Sequence, residues 1–147
     1  IHSDHVVCAD NIVDHGMMGV KMTHGSRNVI VANNLLTHID LWGILVNPGA
    51  ASEHAVAATE GSQAKAGNHD SGITITNNQI TDYGYGHEYW NWGGKHADAG
   101  GSRAISLMGK QLEENPNLSD ILIQGNMVYN SGRDGVMWTT TSKTSDY

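Results

Sequence analysis

The residues best suited to chemistry are concentrated in one Gly-rich segment, residues 84–102, and at its C-terminal boundary. Its ligand-binding candidates are Tyr85, His87, Tyr89, Trp90 and Trp92. Lys95, His96 and Arg103 add groups that can exchange a proton or stabilise negative charge. Tyr and Trp offer an apolar ring with a polar tip, which suits the surface of a sugar. Alternatively, the loop buries these aromatic rings as a small core of its own.

The elements that position this segment are predicted from a repeat anchored on asparagine. The anchors are Asn11, Asn34, Asn78 and Asn126. Apolar residues occur five and three positions before each anchor and two positions after it, and another alternating apolar piece follows each time. Alternation with a period of two is typical of β-strands, and the pieces are too short for helices. We therefore predict an all-β fold with three short strands in each repeat.

The spacing of the anchors predicts where the chain leaves the repeat. Asn11 and Asn34 are 23 residues apart, whereas the next two intervals are 44 and 48 residues. The longer intervals need inserted loops, and the segments without a strand pattern are 47–70 and 84–102. Stacked repeats bring equivalent residues to about 4.8 Å from one another. We therefore expect the anchors to form a ladder of amide hydrogen bonds and to adopt the left-handed backbone that asparagine tolerates.

Stacking also predicts a column of polar side chains four positions after the anchors. Its members are His15, His38, Asp82 and Asn130. Two imidazoles next to a carboxylate could bind a metal or hold a proton-transfer group. Since turns favour Asp, Asn and His as caps of backbone groups, a purely structural column is the alternative.

The pattern I-x-I-x-x-N-x-I followed by G-I-x-V, at about 22 residues plus inserts, resembles the repeat of the right-handed parallel β-helix in the pectate-lyase-like superfamily. The resemblance implies one domain over residues 1–147, with about four coils and the inserted loops 47–70 and 84–102. Because the ends of a solenoid need covering, we expect a fragment of a longer β-helix or a homo-oligomer. The coil ends or an outward apolar column, Val7, Ile30 and Leu122, would then form the interface.

The composition restricts the classes of partner. A chain of 147 residues is long enough for one domain, and a net charge of −7 argues against nucleic-acid binding. No run is long and apolar enough to span a membrane. The single cysteine, Cys8, excludes an internal disulfide and indicates nothing about the cellular compartment.

The resemblance also implies a function, since many members of this superfamily cleave uronic-acid polysaccharides by β-elimination. A base removes the C5 proton, and a cation or Ca²⁺ neutralises the carboxylate. By this resemblance Lys95, His96 and Arg103 are the expected base and charge stabilisers, with His38 and Asp82 as second choice. We expect a secreted or cell-surface protein that binds polysaccharide between the two loops, with Ca²⁺ as the candidate cofactor. Hydrolysis and C5 epimerisation are other reactions in the superfamily.

A non-catalytic function is the rival expectation. Many β-helices are scaffolds in adhesins and tailspikes, where the solenoid presents loops to a glycan or another partner. The acidic net charge of −7 and the lack of a motif specific to one enzyme family favour this reading.

Overall fold

The computed structural model describes residues 3–48, 69–84, 103–108, 118–131 and 138–140, the last range by its backbone only. These residues are all-β, as predicted, and none of them belongs to a helix that could cross a membrane. The strands are β1 (Asp4–Ala9), β2 (Ile12–Thr23), β3 (Arg27–Ala32), β4 (Leu35–Asn47), β5 (Ser71–Thr76), β6 (Gln79–Tyr83), β7 (Ile105–Leu107), β8 (Ser119–Gln124), β9 (Met127–Ser131) and β10 (Trp138–Thr140).

The strands form two sheets in which every described pair is parallel. The first sheet has the order β1-β3-β5-β8. In the second sheet, β4 pairs with β2 on one side and with β6 and β7 on the other, and β9 and β10 continue from β6 and β7. The chain therefore visits the two sheets in turn, and each visit adds a strand beside its equivalent from the previous repeat.

Strands β2 and β4 are longer than the short pieces predicted from the sequence. Each joins two of the predicted strands into one, of 12 and 13 residues. They pair along nearly their whole length, and their register shifts between Gly16 and Met18, as at a β-bulge. The prediction of three separate strands per repeat is therefore wrong in the first two repeats, whereas β6 and β7 are separate in the third.

The alternating apolar residues of both sheets meet in one core. The buried members include Val29, Val31, Leu36, Ile39, Ile44, Val46, Ile73, Ile75, Ile80, Tyr83, Ile105 and Leu107. The equivalent residues on the outer strands of the first sheet are less buried, and Val6 on β1 is 37% exposed. This gradient arises because an edge strand has a neighbour on one side only.

The anchor asparagines form the predicted ladder. The side-chain oxygen of Asn78 accepts hydrogen bonds from the backbone N–H and the side-chain amide of Asn34, at 3.0 and 2.9 Å. The same pair of bonds joins Asn11 to Asn34 and Asn78 to Asn126. The amide of Asn34 also donates to the carbonyl of Cys8 on the first sheet, at 3.0 Å. The ladder thus fixes the register between repeats and connects the two sheets.

The left-handed backbone lies beside the anchors and not at them, so that prediction is wrong. Positive φ angles occur at the residues before the anchors, Asp10, Asn33, Asn77 and Gly125. Each anchor directly precedes a second-sheet strand, and the carbonyl of Asn34 accepts the N–H of Gln79 at 2.8 Å, so the residue before the anchor makes the turn. Two more columns of equivalent residues have positive φ angles. On the first sheet the column is His5, Asn28, Gly72 and Asp120. On the second sheet it is His15, His38, Asp82 and Asn130.

The outward apolar column on the first sheet has the predicted register. Val7 pairs with Ile30, Ile30 with Thr74, and Thr74 with Leu122. Val7 is 67% exposed, Ile30 43% and Leu122 50%. The use of this face as an oligomer interface stays a prediction, as do the inserted loops, most of whose residues lie outside the described ranges.

We expect Asn34→Ala to lower the free energy of unfolding by about 3 kcal/mol, because it removes a buried amide that satisfies partners in two neighbouring repeats. Asn11→Ala is the matched control, since Asn11 is the exposed end of the ladder, and we expect it to cost less than about 1 kcal/mol. Urea unfolding followed by circular dichroism measures both. Equal losses in the two variants would contradict the argument.

A buried carboxyl group lies where the turn before β3 meets the residue before β5. Asp70 is fully buried, and one of its oxygens accepts the backbone N–H of Ser26 at 2.7 Å. Within the described part of the chain, its other oxygen has no hydrogen-bond partner. Burial raises the pKa of Asp70 to about 6, against the lowering effect of the N–H groups of Ser26 and Gly25.

The raised pKa of Asp70 predicts a pH-dependent stability. In the folded state the Asp70 carboxyl group keeps its proton up to about pH 6, whereas in the unfolded state it loses the proton near pH 3.8. The contribution of Asp70 to the free energy of unfolding therefore falls as the pH rises through that window. The loss amounts to about 3 kcal/mol. We expect Asp70→Asn to remove it, which comparison of urea midpoints at both ends of the window will measure. An identical pH dependence in the variant and the wild type would refute this assignment.

Candidate functional site

The structure describes three of the sequence-predicted catalytic residues, namely His38, Asp82 and Arg103. The other two predicted catalytic residues, Lys95 and His96, lie outside the described residues. So do the predicted ligand-binding residues, which are Tyr85, His87, Tyr89, Trp90 and Trp92. Of the described residues, His38 belongs to a cluster of ionisable side chains on the outward face of the second sheet.

The cluster contains the two histidines of the predicted column. His15 on β2 and His38 on β4 occupy equivalent positions, since Asp14 pairs with Thr37 and Gly16 with Ile39. Both histidines have left-handed backbone, with φ angles of 59° and 51°. Their rings stack with centroids 4.5 Å apart and planes 13° from parallel. The strand register therefore brings together two imidazoles that are far apart in the sequence.

Asp14 provides the carboxylate of the cluster. One oxygen, Oδ1, lies 2.8 Å from Nδ1 of His15 and 2.8 Å from Nδ1 of His38. An ionised carboxylate only accepts hydrogen bonds, so each Nδ1 that faces it carries a proton. In a neutral His38 the acceptor atom is then Nε2. The hydroxyl oxygen of Thr37 lies 3.2 Å from the same Nδ1 and helps to orient the ring.

Hydrogen bonding to the two imidazoles stabilises the ionised form of Asp14. The bond from His38 has the largest effect and the bond from His15 the next, and together they hold the pKa of Asp14 below its ordinary value of 3.8. The side chains of His15, Asp14 and His38 are 55%, 50% and 38% exposed. The cluster is therefore an accessible anion hydrogen-bonded to two stacked imidazoles, open to a ligand from solvent.

Asp82 is in the predicted column but is not the carboxylate hydrogen-bonded to His38. Its neighbours Thr81 and Tyr83 pair with Thr37 and Ile39, which places it beside His38. Its oxygen Oδ2 accepts a hydrogen bond from the hydroxyl of Thr81 at 2.9 Å. The sequence signal for the actual partner is the Asp-His dipeptide, which occurs at 4–5 and again at 14–15.

Arg103 is placed elsewhere on the second sheet. Its carbonyl accepts the N–H of Gly43 at 3.2 Å, which is five residues further along β4 than His38. The Nε atom of Arg103 is buried. The described residues therefore do not bring Arg103 into the cluster with His38.

A polar strip adjoins the cluster on the same face of the sheet. It follows the paired column Asp14, Thr37, Thr81 and Tyr129. Tyr129 is 40% exposed, and its hydroxyl is hydrogen-bonded to the side-chain amide of Gln79. Further along β4 and β7, the outward residues Leu45 and Ser106 are buried. Thr81 within the strip is also buried. The exposed groups of the strip next to the cluster are therefore those of Asp14 and Tyr129.

The donor atoms of the cluster do not match the Ca²⁺ expected from the resemblance. Calcium takes six to eight oxygen ligands. Two of the three converging donors here are imidazole nitrogens, and the third is a carboxylate oxygen. A Ca²⁺ site, if the protein has one, therefore needs a different set of oxygens.

Removing one imidazole should raise the pKa of Asp14. We expect a clear rise towards the ordinary value in His38→Gly and a smaller one in His15→Gly, because His38 makes the larger contribution. Glycine suits the left-handed backbone and supplies no side-chain donor. The ¹³C chemical shift of the Asp14 carboxyl, followed during acid titration, measures both values. A larger rise in His15→Gly would contradict the assignment.

Comparison with known proteins adds no relative for this site. The chain matches no protein-family model, no curated protein and no solved structure. The chemistry of the site therefore rests on the geometry of its own side chains.

Proposed function

We propose that the chain is a right-handed parallel β-helix of the pectate-lyase-like kind. The alternation between two all-parallel sheets and the ladder of stacked asparagines support this proposal. Crossover connections between parallel strands are right-handed in about 98% of cases, which supports the hand. In this fold the second-sheet face with the histidine cluster is an outer wall of the solenoid.

The function that the geometry supports best is the binding and cleavage of an extracellular polysaccharide on that wall. The observation that carries the proposal is the 2.8 Å contact between Nδ1 of His38 and Asp14, beside a polar strip in which Tyr129 is exposed. A carboxylate that fixes the tautomer of a histidine prepares its other nitrogen to accept a proton. The polar strip offers partners for sugar hydroxyls.

His38 is the proton acceptor in this proposal, and Asp14 is its positioning residue. In β-elimination from a uronate, the C5 proton passes to Nε2 of His38, and the C5–H electron pair forms the C4=C5 double bond. The C4–O bond breaks, and water protonates the departing oxygen. Hydrolysis by a glycosidase would instead use two carboxyl groups, and Asp14 and Asp82, on the two strands that flank β4, are the pair for that alternative.

The loops 47–70 and 84–102 complete the proposal as the walls of a groove. Their aromatic residues would bind the sugar, and Lys95 and His96 would neutralise the uronate carboxylate. A protein that acts on such polymers works outside the cell, which is the location that we propose. The exposed Val7, Ile30 and Leu122 column supports a homo-oligomer as a further part of the proposal.

Turnover of defined polymers tests the function. The purified chain is mixed with pectin, alginate and glycosaminoglycans, with and without Ca²⁺, and the ultraviolet absorbance of the unsaturated product is followed. We expect activity on one uronate polymer and a loss of at least about 100-fold in kcat for His38→Gly, the usual range for a general base. For Asp14→Asn we expect a lower kcat with little change in KM.

The matched control is His5→Gly, which removes a histidine that contacts Asp4 at 3.0 Å on the other sheet. Its activity should equal that of the wild type. Equal rates for His38→Gly and His5→Gly would exclude His38 as the base and leave Lys95→Ala and Arg103→Ala as the next variants. No unsaturated product and no reducing-sugar release from any polymer would exclude catalysis.

Binding without turnover is the second candidate function. It is favoured by the exposure of the cluster, since His15 is 55% exposed, whereas catalytic sites are usually concave. In that case the wall would hold a glycan as an adhesin or tailspike does. A glycan array separates the two functions, because a scaffold retains binding in His38→Gly and yields no product.

A further inference from the structure

We propose that Asp14, His15 and His38 bind a divalent first-row transition metal, with Zn²⁺ as the reference ion. The ligands would be one carboxylate oxygen and the two Nδ1 atoms, and each imidazole would change to the tautomer that carries its proton on Nε2. This inference needs only the cluster itself. Because metal binding through Nδ1 leaves Nε2 of His38 protonated, His38 would act as the base proposed above only in the metal-free protein.

The donor atoms already converge. All three ligand atoms lie within 4.8 Å of one another, and both Nδ1 atoms lie 2.8 Å from Asp14 Oδ1. Around a tetrahedral zinc with bonds of about 2.0–2.2 Å, neighbouring donors are roughly 3.4 Å apart. The metal therefore requires the carboxylate oxygen to withdraw slightly from each nitrogen, from 2.8 Å. Side-chain rotation achieves this without movement of the strands.

The rings must turn when the metal binds. They are stacked with planes only 13° from parallel, whereas a metal lies in the plane of each imidazole that ligates it. The two ring planes must therefore tilt towards a common point. The terminal torsion of histidine is broad, and both side chains are more than one-third exposed, so this rotation is inexpensive. Loss of the ring stacking is an observable consequence of binding.

The backbone holds the two histidines in place. Each lies in a left-handed position of a long strand, and β2 and β4 pair on both sides of it. The same backbone recurs at Asp82 and Asn130, so it belongs to the fold. What distinguishes the first two repeats is the choice of imidazole at both positions, together with Asp14 between them.

The donor set and the charge select the class of metal. Two imidazoles and one carboxylate match zinc and its neighbours in the transition series, whereas Ca²⁺ prefers oxygen alone. A net charge of −7 favours the approach of cations. Three protein ligands leave a fourth position for water, which is the arrangement of catalytic zinc sites.

The first sheet contains a natural counterpart without the second imidazole. Asp4 and His5 repeat the Asp-His dipeptide, and His5 also has positive φ, with Nδ1 3.0 Å from Asp4 Oδ1. The equivalent of His38 there is Asn28, whose amide donates to the same oxygen at 2.8 Å. The two clusters therefore differ by one ligand, and an exchange of Asn and His tests that ligand in a backbone that accepts both.

Isothermal titration of the 147-residue chain with ZnCl₂ tests the inference. We expect the wild type to bind one zinc per chain. We expect at least about tenfold weaker zinc binding in His38→Asn and in Asp14→Asn, because even residues that only hydrogen-bond to a metal ligand contribute that much to metal affinity. His5→Asn should bind as the wild type does. Asn28→His should raise the stoichiometry to two.

Histidine NMR provides the second readout, since the Nδ1 resonances of His15 and His38 should shift on zinc addition and those of His5 should not. Wild-type affinity in a folded His38→Asn would overturn the proposal, as would equal weakening in His5→Asn. A stoichiometry that stays at one in Asn28→His would contradict the claim that two stacked imidazoles and a carboxylate suffice. Zinc binding combined with no polysaccharide turnover by the zinc-free protein would refute the cleavage proposed above and support the metal site.

Discussion

Hydrogen bonding between stacked side-chain amides is the constraint on which this structure depends. The side-chain oxygens of Asn34, Asn78 and Asn126 each accept both the backbone N–H and the side-chain amide of the anchor in the preceding repeat, so two bonds fix one register. A slip by one residue would break this pair and turn the aliphatic side chains of a strand out of the core. The polar ladder and the apolar core therefore specify the same alignment, and each supports the other.

Fixed register is what makes a surface cluster from distant residues. His15 and His38 are separated by a whole repeat, yet their rings are in contact because every residue of β2 has a defined neighbour on β4. Asp14 then links them, since a side chain one position earlier on the strand reaches both imidazoles. The site thus needs no pocket of its own to be organised. Its order comes from the strands beneath it.

The strand period and the anchors predicted the all-β fold, the core and the ladder, because backbone pairing depends on residue spacing, but they did not predict that β2 and β4 would each join two of the expected strands. The sequence also placed His38 and Asp82 in one column, which the register of Thr37 and Thr81 supports. It did not predict that Asp14 would be the carboxylate bonded to His38, because that depends on rotamers and not on register. The sequence prediction assigned the left-handed turn to Asn34, whereas the structure has it at Asn33. Asparagine occupies both positions, and only the hydrogen bonds distinguish them.

The left-handed columns have a consequence for how this scaffold can change. At a single backbone geometry the chain uses His, Asp and Asn in one column, and His, Asn, Gly and Asp in another. Exchanging these residues alters chemistry while leaving strand pairing intact. Single substitutions can consequently place the same ligand residues at the equivalent positions of a neighbouring repeat, while the other repeats stay unchanged. Because these surface positions share one backbone geometry and accept the same residue types, the surface is a starting point for engineered binding sites.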